Sequence, residues 1–301
     1  YGDHRDLHKE YRRQRQMCIR DRSLNRLNQL ILQGTGAIEI KSGYGLSLDS
    51  ELKILRVIKR LKENSKATIK STFLGAHAVP LEYKNNKPKY LDLIINEMLP
   101  AIESEGLADY IDVFCEKGYF DVDDTIKVLK AGQKYALKGK THVNQFNSIG
   151  GVKSSIENNC ISVDHLEVME EEDYLAFKNS SCIATLLPSC SFFLGIPYSP
   201  AKEFIKRNIP FNLASDYNPG SSPSGNMNFV SSLGSIKLKL NAEQVINATT
   251  INGAYAMEIQ DQVGSIAVGK KANFFITKPC LLYTSDAADD TPCVDLGGRR
   301  I

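Results

Sequence analysis

The stretch AIEIKSGYGLSLDSELKILRVIKRL, residues 37–61, decides the fold. Ala37-Ile38-Glu39-Ile40-Lys41 reads as a β-strand ended by Gly43 and Gly45. Leu48, Leu52, Leu55, Ile58 and Leu61 then recur at helical spacing, with Asp49 and Glu51 in the first turn, where negative charge suits a helix start. Further strands are expected at 68–76, 110–115, 139–144, 161–165, 182–187 and 211–215. The helices between and after them fall near 89–105, 122–137, from Gly150-Gly151, 169–179, 200–207, 227–239 and 241–257. Such alternation implies either an open doubly wound sheet or a barrel. No glycine-rich phosphate fingerprint follows the first strand, which counts against a Rossmann sheet. The expected fold is therefore α/β, a (β/α)8 TIM-type barrel over residues 23–258 whose first strand is missing. Residues 259–279 turn to a β-pattern and read as the start of a small β domain, cut short.

The two ends do not match this middle. Residues 1–22 are densely charged with no apolar period, so they offer no face to bury. Residues 280–301 break off a β-pattern and continue with acidic and Gly/Arg clusters. Both look like translated sequencing-adapter read-through, at Gln16-Met17-Cys18-Ile19-Arg20-Asp21-Arg22 and at Leu281 to Asp289. A pair of natural disordered tails is the alternative; neither end suits its neighbour, which favours read-through and a natural segment at about 23–279. With Cys18, Cys280 and Cys293 set aside, Cys115, Cys160, Cys182 and Cys190 show no CxxC spacing for a zinc knuckle or disulfide framework.

Formal charge is only +2 over 301 residues, so electrostatics give no case for nucleic acid or an acidic membrane face. No apolar run approaches the roughly 20 residues of a membrane span, and no export signal is recognised. The expected location is the cytoplasm.

His142, in Thr141-His142-Val143-Asn144, His165, after Val163-Asp164, and Asp216, after Ala214-Ser215, all stand at ends of strand-like runs. In a barrel these ends gather at one mouth. Alternation about Val143 puts His142 and Asn144 on one face. Imidazole nitrogen and carboxylate are good ligands for zinc or ferrous iron, and a bound divalent ion can lower the pKa of its water to about 7. Singly, each residue is better read as a satisfied polar or turn residue. Together, with His77 in Leu74-Gly75-Ala76-His77 as a third histidine so placed, they favour a metal-centred hydrolytic site. Tyr44 lies in a glycine-flanked loop that would present its hydroxyl over the same mouth, though alone it reads better as a turn tyrosine covering an apolar edge. Asn218, Gly220 and Ser221 offer donors suited to a carboxylate or ring carbonyl.

Five motifs in order carry a family resemblance: Lys41 to Leu46, Leu74 to Ala78, His142 to Phe146 with Gly150-Gly151, Val163 to Leu166, and Asp216 to Ser221. Over about residues 24–278 the chain resembles the imidazolonepropionases of the amidohydrolase superfamily. The resemblance implies a hydrolase with one zinc or iron ion, which opens the cyclic amide of 4-imidazolone-5-propanoate to N-formimidoyl-L-glutamate in histidine degradation. It implies His142 and Asp216 as metal ligands, with Asp216 also the proton carrier between water and the leaving nitrogen. His165 is implied to hold or polarise the water. Tyr44, His77, Gln145, Asn218, Gly220 and Ser221 match substrate-contacting positions; Gln145 replaces a Glu of some members and is limited to hydrogen bonding. A small-molecule substrate and a possible homodimer follow from the same likeness.

One departure is serious. The family takes two more ligands from a His-x-His on its first strand, and residues 23–279 contain none. Two protein ligands hold a catalytic ion poorly. The expectation is activity in a longer parent protein, with weak metal binding and turnover in this chain. A related amidohydrolase acting on another ring, or a metal-poor barrel fragment that only binds a ligand or partner, are the alternatives.

Overall fold

The computed structural model describes residues 19–274 and residue 276. The expectations for residues 1–18 and 280–301 lie outside the described residues. Residues 19–22, assigned above to the charged opening segment, begin a helix that runs to residue 32. Compact packing divides the chain after Lys271.

Seven strands are described: β1 (Ala37–Lys41), β2 (Thr68–Ala76), β3 (Tyr110–Cys115), β4 (Lys138–Val143), β5 (Ser162–His165), β6 (Ile183–Leu186) and β7 (Phe211–Leu213). They pair in parallel in chain order, one sheet from β1 to β7. All seven lie where the alternating pattern puts them, to within two residues at either end. The sheet is curled. Lys41 on β1 reaches Asp164 on β5 at 2.7 Å, although four strand spacings in a flat sheet would hold them roughly 19 Å apart. Lys140 on β4 likewise reaches back to Glu39 on β1 at 2.7 Å. This is the (β/α)8 architecture short of one strand, as expected.

Alternation sorts the strand residues. Ile111 and Val113 face outward and pack with Leu55, Ile58, Ile94 and Met98 of the surrounding helices. Val143, Val163, Leu186 and Leu213 do the same for the second half, against Phe204, Val230 and Val245. The intervening Asp112, His142 and Asp164 turn inward. Where most barrels fill their interior with branched apolar side chains, this one places Glu39, Lys41, Asp112, Lys140 and Asp164 there. The charges compensate each other. Burial works against the Lys41 ammonium, yet Asp112, Asp164 and Glu39 outweigh it and hold its pKa well above the ordinary lysine value.

Helix Leu48–Asn64 is longer than the apolar spacing alone marks out, closing with Lys62 in its last turn. Helix Val122–Gln133 opens with a capping box between Asp121 and Asp124. The single helix expected near 89–105 is three segments: Lys87–Leu93, a π-turn at Ile94–Met98, and Leu99–Glu105. Pro100 sits in the first turn of the last segment; lacking an N–H and crowding the carbonyl four residues back, it favours a widened turn ahead of it. Helix Pro188–Leu194 was missed, being short and apolar like a continuation of β6. The expected helix 241–257 breaks at Thr250. No strand forms among the described residues beyond 258. Ile266 and Val268 are fully or nearly fully exposed, a β-like pattern with no partner strand among the described residues.

Candidate functional site

The C-terminal ends of the strands form one mouth, and three histidines meet there. The His142 ring lies 5.4 Å from that of His165 and 6.5 Å from that of His77, centroid to centroid. Tyr44 packs edge-on to His77 at 5.3 Å. Asp216 acts on the same group through its field. Burial raises the pKa of Tyr44 and the Asp216 charge adds to it, while at His165 burial is outweighed by Cys190, Glu167 and lastly Asp216, which raise it.

His142, at the end of β4, is buried. Its Nδ1 donates to Asp112 Oδ1 at 3.0 Å, while Lys41 Nζ donates to Oδ2 of the same carboxylate at 2.6 Å. With Nδ1 so engaged, Nε2 is the nitrogen left for the mouth. This is how proteins commonly orient an imidazole that carries a metal. Asp112, His142 and Asp164 stand within ligand spacing of one another, but Lys41 Nζ already bridges both carboxylates, at 2.6 Å and 2.7 Å. That trio is an ion-pair network, satisfied by the Lys41 ammonium without a metal ion.

Asp216 follows β7 in a left-handed conformation, φ 49°. Ser221 Oγ donates to its Oδ2 at 2.7 Å. Asn218 turns inward on its own loop. Its Oδ1 accepts from the Gly220 and Ser221 amides, each at 2.8 Å, and its Nδ2 donates to Asp216 O and Ser221 Oγ. These contacts shape the turn that presents Asp216. Gln145 is buried, and its Nε2 approaches Cys190 Sγ at 3.6 Å.

His77 owes its aim to a bulge in β2 between Phe73 and Ala76. Its Nδ1 donates to Gly43 O at 2.9 Å. Burial, followed by the neighbouring His142, lowers its pKa, so the neutral ring is favoured. The Tyr44 loop is fixed from beneath by Glu51. This fully buried carboxylate accepts from the amides of Gly43, Gly45 and Leu46 at 3.0, 2.7 and 2.9 Å. Gly43 is needed where it stands: φ is +99°, and a Cβ there would lie 2.7 Å from Leu74 O.

The same device recurs. Glu116 after β3 accepts from the Phe146 and Asn147 amides and from Asn147 Nδ2. Asp173 accepts from Asn144 Nδ2, Ser148 Oγ and the Glu170 amide. Sequence reasoning named none of these anchors, nor Asp112. For Asp112 a signal existed: a lone charge between Ile111 and Val113 must face away from the helices.

Comparison with known proteins agrees with the fold. Residues 40–296 match the family model described as "Amidohydrolase family". The chain belongs to the amidohydrolase family. It is 56% identical over 266 residues to the imidazolonepropionase of Christiangramia forsetii, covering 88% of this chain and 65% of the relative. Against the imidazolonepropionase of Flavobacterium johnsoniae it is 57% identical over 265 residues, covering 88% and 64%. The chain thus spans a little under two thirds of the length of these relatives. Among solved structures, an adenosine deaminase from Xanthomonas campestris with bound zinc shares the fold at TM-score 0.61 and 14% identity, over 80% of this chain and 57% of that one. An atrazine chlorohydrolase mutant from Arthrobacter aurescens, complexed with zinc and atraton, gives 0.65 and 13%, over 85% and 63%.

Members of this family depend on metal, and the fit can be judged residue by residue. His142 fits a ligand role, because Asp112 takes its Nδ1. Asp216 offers a carboxylate at the same mouth. Among the described residues it belongs to no cluster of three potential ligands, whereas catalytic zinc sites generally use three protein ligands. The set is a partial one.

Proposed function

We propose that the full-length protein hydrolyses the ring amide of 4-imidazolone-5-propanoate to N-formimidoyl-L-glutamate, a step of histidine degradation, in the cytoplasm and as a homodimer. The 56–57% identity to imidazolonepropionases over 88% of the chain carries this reading. The convergence of Tyr44, His77, His142 and His165 at one mouth supports it.

His142 and Asp216 would hold one zinc or iron ion, completed by ligands from a strand outside this chain. Such an ion, when bound, acidifies water and polarises an amide carbonyl. Asp216 takes the proton of the attacking water and returns it to the ring nitrogen as the C–N bond breaks. His165 holds the water in line. Tyr44, His77 and Gln145 orient the ring, and the Asn218–Ser221 turn, with Gly220, faces the substrate's polar end.

Incubating purified, metal-loaded full-length protein with imidazolone propanoate tests this directly. Formimidoylglutamate formed at rates typical of metabolic enzymes, on the order of 1–1000 per second, is the expected result. No turnover with either zinc or iron would sink the proposal. For the 301-residue chain itself, the partial ligand set favours a metal-poor barrel: elemental analysis after dialysis is expected to find well under one equivalent of metal.

A further inference from the structure

Glu167 lies two residues beyond His165, and its side chain is completely enclosed. One oxygen, Oε1, accepts from Ser191 Oγ at 3.0 Å. The other, Oε2, has no hydrogen-bond partner, and neither has His165 Nδ1. These two orphaned atoms face each other at 3.6 Å. A buried carboxylate with half its acceptors idle costs several kcal/mol unless a positive or donating group answers it. The imidazole N–H is the group on hand.

The backbone around His165 is held to suit. Its φ is 87°, outside the region a histidine ordinarily adopts. Its carbonyl is held by Ser199 Oγ at 2.8 Å. Strain of this kind survives only where surroundings impose it. With Nδ1 beside Glu167, Nε2 is the nitrogen left for the mouth, where the His142 ring centroid lies 5.4 Å away.

We propose that Glu167 is a positioning residue, which fixes His165 with Nδ1–H toward its carboxylate and Nε2 toward the reacting groups. The proposal rests on the function given above and adds the group that sets the tautomer of its water-holding histidine. Cys190 completes a cluster with His165 and Glu167 at ligand spacing, which makes a cation pocket the competing reading. Two partners weigh against it: Ser191 already occupies Oε1, and Gln145 approaches the Cys190 sulfur.

The test uses metal-loaded full-length protein with Glu167→Gln, Glu167→Asp, His165→Asn and the double variant Glu167→Gln/His165→Asn. Nitrogen-15 NMR of the histidine rings, assigned by the signal lost in His165→Asn, should show Nδ1 protonated in the unmodified protein. In Glu167→Gln the two ring nitrogens should become mixed. Turnover of imidazolone propanoate should fall about 10- to 100-fold in Glu167→Gln, the range typical for outer partners of functional imidazoles. KM and metal content should hold, and Glu167→Asp should recover part of the loss. The double variant should be no slower than His165→Asn alone, since one residue acts through the other.

Additive losses, an unprotonated Nδ1, or unchanged turnover in Glu167→Gln would overturn the proposal. So would a second metal equivalent that disappears with Glu167→Gln. An unmodified protein without turnover would count against the proposed function, and the NMR result would still decide the role of Glu167. If Glu167→Gln fails to fold, the unmodified protein's tautomer and Glu167→Asp give the answer.

Discussion

Asp112 shows how much one inward carboxylate can govern. It accepts from His142 Nδ1 and from Lys41 Nζ, so it orients the proposed metal ligand and neutralises a buried cation at once. Despite burial, His142 and Lys41 hold its carboxyl far below the usual range. Asp112→Asn keeps the shape and removes the charge. In the full-length protein it is expected to weaken metal affinity about 10- to 100-fold, as read by competition with a chelator. Glu51 makes a second case. Glu51→Ala would leave the amides of Gly43, Gly45 and Leu46 without their acceptor, a loss on the order of 3 kcal/mol. Urea denaturation measures the cost, and faster amide exchange confined to residues 43–46 would locate it. Sequence reading singled out His142, His165, Asp216, Tyr44 and His77 as candidates because their types carry chemistry. It read Glu51 only as a helix-start acid and gave Asp112 and Glu167 no role, since their types are those of any solvated acid. Their meaning comes from enclosure, which only the fold supplies.

Among elements, the strands were legible because each alternates or runs apolar between clear breakers. The helices were less so, since local chemistry cuts them: Pro100 just after a π-turn, Thr250 between two short helices. The β-like pattern after residue 263 forms no strand among the described residues for a related reason. Propensity shows fitness for a sheet, and a strand forms only where a neighbour accepts its hydrogen bonds. The loops behave as parts of the strands that flank them. Gly43 lets the β1 loop pass beneath Leu74 O with φ +99°. Gly43→Ala must either strain that angle or push β2 aside, at an expected cost of about 1–3 kcal/mol. Thermal unfolding of the purified chain would report it. If stability holds within about 0.5 kcal/mol, the described loop geometry is wrong.

At the level of the whole molecule, the ionic interior sets the response to acid. Burial acts against the charge on Glu39, yet Lys140 and Lys41 outweigh it and lower its pKa from 4.5 to about 2. A group depressed on folding stabilises the native state above its ordinary pKa. That contribution fades as pH falls from about 4.5 toward 2. The expected loss is on the order of 3 kcal/mol, and Asp112 and Asp164, also held low, steepen it. Denaturation midpoints measured across this window should fall in the parent chain and fall less in Glu39→Gln. A flat profile would mean that the interior carboxylates are not charged in the folded state.

Around the mouth five of the six neighbouring strand pairs are sewn together: Ser42 to Leu74, Asp112 to His142, Asn144 to Val168, His165 to Ser199, Ser189 to Ser215. Among the described residues no ladder joins β7 back to β1. The molecule therefore has a hem as well as stitches. Loosening should begin at the two free margins and travel inward, so that β3 and β4, midway around, are the last threads to give.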